Sequence, residues 1–185
     1  MYVLLSLIVL LRATSALGLN VTLAETKNMS RKPLDVVRNA LQVYADRGIF
    51  RGLDELKTRN GKHTFRFVWF GDQPLDFIVD TSAGLLTFKR LLPNVPSNST
   101  LYSELRRFIK SRSDRSLPKH RQVDSRRAEV MSMNRGGVVS IALKVKKNQY
   151  AYGLNRLINV VHEVFVQLTD THPDYMCENF DAPQE

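Results

Sequence analysis

A chain of 185 residues with 27 Lys and Arg against 18 Asp and Glu, and a formal net charge of +9, has room for one domain with a real core but not comfortably for two. Its single cysteine, Cys177, excludes an intrachain disulfide framework and any cysteine-rich zinc module. No apolar stretch reaches the roughly 18 residues that a membrane-spanning helix needs, so no membrane contact is expected of the mature domain.

Residues 1–11, MYVLLSLIVLL, form an apolar run about as long as a signal-peptide core, and the small residues Ala13 to Ala16 follow as a cleavage region. No Lys or Arg precedes the run, and Arg12 follows it directly. Met29-Ser30-Arg31-Lys32-Pro33 reads as a natural start that opens straight into a helical pattern. Residues 1–28 are therefore expected to be upstream sequence on a cytoplasmic protein. The alternatives are a genuine export signal over residues 1–24, or an integral helix. The sequons at Asn20, Asn28 and Asn98 matter only in a eukaryotic secretory pathway.

From Met29 onward the pattern predicts one domain, residues 29–185. Pro33 suits a first helical position, Leu34, Val37, Leu41 and Tyr44 recur at helical spacing, and Gly48 sits where a helix ends. Residues 49–57 read as a short connector. Phe65, Phe67 and Trp69 share one side of a strand over 63–70, and Leu75, Phe77 and Val79 alternate with Asp76 and Asp80 in a second. Ser82-Ala83-Gly84 turns the chain into a third strand near 85–91, and Thr100 is expected to cap the next helix. The basic stretch 111–127 has no periodicity and reads as a loop. Residues 128–133 and 138–146 make a hairpin around Asn134-Arg135-Gly136-Gly137. Tyr150, Leu154, Leu157, Val161, Val164 and Leu168 define the longest helix, and after Pro173 one more turn is expected over 174–180.

The predicted order is α-β-β-β-α-β-β-α, an α+β fold whose mostly antiparallel five-stranded sheet carries its helices on one face. Over residues 33–170 this order resembles that of type III secretion chaperone-like domains of bacteria. The resemblance implies a small, usually dimeric, protein-binding module, and it carries no site residues. The basic charge departs from the acidic balance usual in those chaperones.

Catalytic chemistry finds no constellation here, and a non-enzymatic role is expected, with no cofactor and no metal. His162-Glu163 begins like a zinc-protease helix but lacks the second histidine one turn on. Asp76 and Asp80 lie on one side of a strand, where the reading is a solvated face with Arg66 as a partner rather than an acid–base pair. Gly136-Gly137 follows a strand and precedes another, so it reads as a hairpin turn rather than a phosphate loop. Cys177 has acidic neighbours in Asp174 and Glu178, which do not favour a thiolate.

Charge placement says more. Between Arg106 and Arg127, nine Lys or Arg face only Asp114 and Asp124, so this segment holds a net +7, while the six charges after Arg156 are all acidic. Arg112, Arg115, Lys119, Arg121, Arg126 and Arg127 are the candidate contacts to an acidic partner or a polyanion such as nucleic acid. The plainer reading is a solvated loop, or one docked on the acidic C-terminal part of its own or a partner chain. The helical pattern assigns Phe108, the segment's single aromatic, to the core, which leaves no stacking platform for bases. Val68, Phe70 and Ile78 oppose the main apolar side of the meander, and they are the candidates for a sheet-face interaction with a protein partner or a second copy. Two functions follow as expectations. One is a dimeric protein-binding or adaptor module, and the other is polyanion binding through residues 106–127.

Overall fold

Pro33, whose fixed φ suits a first helical turn, opens helix α1 (Pro33–Asp46), and Val37 and Leu41 are its buried positions. The computed structural model describes residues 32–59 and 61–180, so the readings placed on residues 1–28 lie outside the described residues. After α1 come strands β1 (Arg51–Arg59), β2 (Lys62–Val68), β3 (Pro74–Asp80) and β4 (Leu85–Leu92). Helix α2 (Thr100–Ser111), the hairpin β5 (Ala128–Arg135) and β6 (Val138–Val145), and helices α3 (Tyr150–Thr171) and α4 (Pro173–Phe180) complete the order.

The class is α+β, with all six strands in one antiparallel sheet ordered β1-β2-β3-β4-β6-β5. Six strands rather than five is a correction to the sequence reading. Residues 49–57 are no connector, because β1 pairs with β2 from Arg51 opposite Val68 to Arg59 opposite Lys62. Its sequence hides this for a physical reason. An edge strand needs no apolar alternation, and β1 carries two register breaks and a left-handed Gly52 (φ 61°), all of which blunt an edge. Helix α2 begins one residue earlier than expected, capped by Ser99, whose Oγ accepts from the Tyr102 amide at 3.2 Å.

The strands bury one side. Phe65, Phe67, Phe77 and Phe88 are at most 1% exposed, and each contributes about 2–3 kcal/mol of transfer free energy. Against them lies α3, through Leu154, Leu157, Val161, Val164 and Leu168. Gly153 makes the close approach possible, since a Cβ there would stand 2.8 Å from Val145 Cγ2 and 3.0 Å from Leu143 Cδ2. Helices α1, α2 and α4 pack beside α3 on this same side. Among the described residues nothing covers the opposite side.

Candidate functional site

The basic segment is a loop, as expected, but it is a docked one. Val123 is fully buried, its amide donates to the Arg112 carbonyl at 2.7 Å, and the Asp124 amide donates to the Tyr152 hydroxyl at 2.7 Å. These bonds press the loop against α3. Glu163, on α3, then receives two guanidinium groups, Arg112 and Arg121, the latter at 2.9 Å.

That arrangement corrects part of the polyanion surface. Arg112 is 6% exposed, its guanidinium is ion-paired to Glu163 and lies 4.1 Å from the centre of the Phe108 ring. Its charge is consumed inside the fold, because a guanidinium keeps its charge when buried and is costly there without a carboxylate beside it. Phe108 is therefore half-buried beneath Arg112 rather than a core residue. Arg121 shares Glu163, Arg126 binds Asp124 at 2.9 Å, and Arg127 donates to Gln149 Oε1 at 3.1 and 2.5 Å while lying 3.8 Å over the Tyr152 ring. The pairing with Arg126 holds the Asp124 carboxyl down to about 2. Arg115 and Lys119 are exposed and have no side-chain partner among the described residues.

Sequence candidates for metal or acid–base work do not converge. Among the described residues no cluster of three or more His, Cys, Asp or Glu is placed to hold a metal ion. Asp76 pairs with Arg66 at 2.7 Å, as the shared strand side suggested. Asp80 instead accepts from Ser82 Oγ at 2.6 Å and the Ala83 amide at 3.0 Å, bonds that hold its carboxyl below the usual range and shape the β3–β4 turn. His162 is half-buried, and desolvation pushes its imidazole below its usual range, against a smaller opposing pull from Glu163. The unfolded chain therefore binds a proton there more readily than the fold does. Stability contributed by neutral His162 is full above the unfolded pKa, about 6.5, and declines as pH falls through it. Urea titrations across that range should show His162→Gln losing less stability with acidification than the native chain.

The uncovered sheet side is the second candidate. Val68 and Ile78 stand on it, half-buried, with Ile78 between Thr64 and Thr87 in the ladder. Phe70 does not. Strand β2 ends at Val68, the chain turns over at Gly71, and the Phe70 ring stacks on Phe165 of α3 with centroids 3.7 Å apart and planes 9° apart. Strand alternation fails once the strand has ended, so Phe70 is a core residue on the helix side, 8% exposed.

Residues missed in the sequence complete the face. A groove of about 480 Å³ runs between β3, β4, β6 and β5, floored by Ile78, Thr87, Met133, Val138 and Ser140. Lys62, Lys89, Arg90 and Arg135 line it against one carboxylate, Asp80. Lys62 reaches Asp80 at 3.5 Å, whereas Lys89, Arg90 and Arg135 have no side-chain partner among the described residues. Lys89 faces the groove by alternation, opposite Asp76 in the β3 register, and a bulge brings Arg90 in beside it. The β4–β6 register breaks between Phe88 and Leu92, Arg90 adopts φ 54°, and its amide donates to Ser140 Oγ at 3.0 Å. A left-handed backbone costs an L-residue about 1–2 kcal/mol, so this is local strain, and it lets two consecutive cations line one groove. The sign of this in the sequence is the adjacent pair Lys89-Arg90 inside a strand otherwise apolar but for Thr87.

No family model matches the chain, and comparison with curated proteins and with solved structures finds no match. Among the described residues no helix is long and apolar enough to cross a membrane.

Proposed function

We propose that the protein is a non-enzymatic binding module whose uncovered sheet side receives a segment of another protein bearing both acidic and apolar side chains. The observation that carries this reading is the groove over β3, β4, β6 and β5, where the apolar side chains of Ile78, Met133 and Val138 occur together with cations that have no side-chain partner among the described residues. An apolar floor favours aliphatic or aromatic anchors, and Lys89, Arg90 and Arg135 favour carboxylates beside them. A protein-binding role is also what the resemblance to the chaperone-like domains implies.

A second reading keeps one observation of its own. Arg107, Lys110, Arg115 and Lys119 are exposed and have no side-chain partners among the described residues, which suits a polyanion. A peptide array separates the two. Peptides mixing Glu or Asp with Leu or Phe should bind the native chain, and Lys89→Glu should weaken them about tenfold. Arg115→Glu/Lys119→Glu should leave them unchanged. Arg90→Gly is expected to stabilise the fold by about 1 kcal/mol, since glycine accepts the left-handed backbone, while binding weakens. Binding that instead follows Arg115 and Lys119, and extends to heparin and duplex DNA, would establish the polyanion reading.

A further inference from the structure

The two sheet edges are unlike. Strand β1 is broken twice in register, but β5 pairs with β6 without interruption from Ala128 opposite Val145 to Arg135 opposite Val138. Along Glu129 to Met133, no backbone group of β5 bonds to anything beyond β6 among the described residues. A straight, unprotected edge of this kind is a template for another strand. Helix α2 packs against β5 on the helix side of the sheet, and it supplies no hydrogen bond to the edge.

The sequence of that edge is its own complement. Placed antiparallel about a two-fold axis at Ser132, Glu129 lies opposite the partner's Arg135, Met131 opposite the partner's Met133, and Val130 opposite the partner's Asn134. Glu129, Met131, Met133 and Arg135 all belong to the uncovered side, because their β6 neighbours in the ladder, Lys144, Ala142, Ser140 and Val138, do. The pairing therefore puts two methionine contacts at the centre and an opposite-charge pair at each end. It gives Arg135, which has no side-chain partner among the described residues, a carboxylate. Like charges directly opposite would oppose association, and this register has none. A face-to-face dimer through the groove would do the reverse, bringing Lys89 and Arg90 of one copy towards the same patch of the other.

We infer that the protein forms a two-fold dimer by antiparallel pairing of β5 with β5 of a second copy, in the register centred on Ser132. Each six-stranded sheet becomes half of one continuous sheet, and both grooves open on the same side of it. In the dimer Arg135 is taken up by the pairing, and Lys89 and Arg90 remain as the cations of each groove.

Sedimentation of the full chain across a concentration series tests it. A dimer is expected that dissociates on dilution. Glu129→Arg and Arg135→Glu should each weaken it about tenfold, since each turns two attractive pairs into repulsive ones. The double variant Glu129→Arg/Arg135→Glu should recover it. Independently of these charges, Ser132→Cys in a Cys177→Ser background should cross-link to a dimer on mild oxidation, while Val130→Cys should not, because only residue 132 meets itself. Lys89→Glu should leave the dimer intact. A chain monomeric at every concentration, a dimer indifferent to the single charge reversals, or cross-linking at 130 as efficient as at 132 would overturn the inference. An acidic extended peptide that binds the monomeric chain and is lost with Ser132→Pro would assign the edge to a different occupant.

Discussion

Replacing Glu163 by Ala is expected to destabilise the fold by about 3 kcal/mol. The reason is what the substitution strands. Arg112 sits in a pocket where 7% of its side chain is exposed, and its Nε already lacks a partner among the described residues. Without Glu163 its guanidinium is a buried cation facing only the Phe108 ring and Ser111 Oγ. Arg121, 45% exposed, can turn to water and adds little to the cost. The loop that both arginines fasten should loosen with it, and limited trypsin digestion should cut after Arg115 and Lys119 faster than in the native chain. The pair Arg112→Met/Glu163→Leu should recover stability to within about 1 kcal/mol, because removing both charges removes the desolvation penalty along with the attraction. A urea midpoint for Glu163→Ala equal to the native one would mean that the loop is solvated rather than docked.

Phe70→Ala carries the other large effect, about 3–4 kcal/mol. Its ring is stacked on Phe165 and 4.3 Å from Trp69, centroid to centroid, inside a cluster that reaches Phe180. Truncation leaves a void that the surrounding rings fill only in part. Ile78→Ala, drawn from the same set of sequence candidates, should cost about 1 kcal/mol, since a half-buried side chain on the uncovered face loses less area and leaves no closed cavity. Paired urea midpoints for the two variants decide between a core and a surface position for Phe70. Equal costs would contradict the placement.

Legibility in the sequence followed the strength of the periodic signal. Helix α3 and strands β2, β3 and β6 alternate or step without a miss, since each buries one side against a continuous core, and their positions were readable. Strand β1 was not, because an edge strand with Arg51, Asp54 and Glu55 exposed and a bulge at Gly52 is held by its neighbour rather than by its own pattern. The site divided in the same way. Ile78 and Val68 were visible from parity. Arg90 was not, because a bulge suspends parity just after Lys89 and only the backbone of Arg90 reveals it. The basic segment misled most. Composition shows a surplus of cations between Arg106 and Arg127, but Glu163 neutralises Arg112 across 51 positions of chain, a pairing no local window contains.

Gly153 bears on that long-range pairing. A helix usually tolerates some sliding along a sheet, since neighbouring side chains can exchange places in the packing. Here the backbone of α3 comes so near Val145 and Leu143 that any Cβ at position 153 would force their methyl groups to move. Displacing the helix by one turn would drive Leu157 into that contact. Gly153 therefore works as a key that sets the longitudinal position of α3, and with it the position of Glu163 further along the helix. The basic loop takes its alignment from Glu163. One glycine thus determines where a segment more than 25 residues upstream comes to rest.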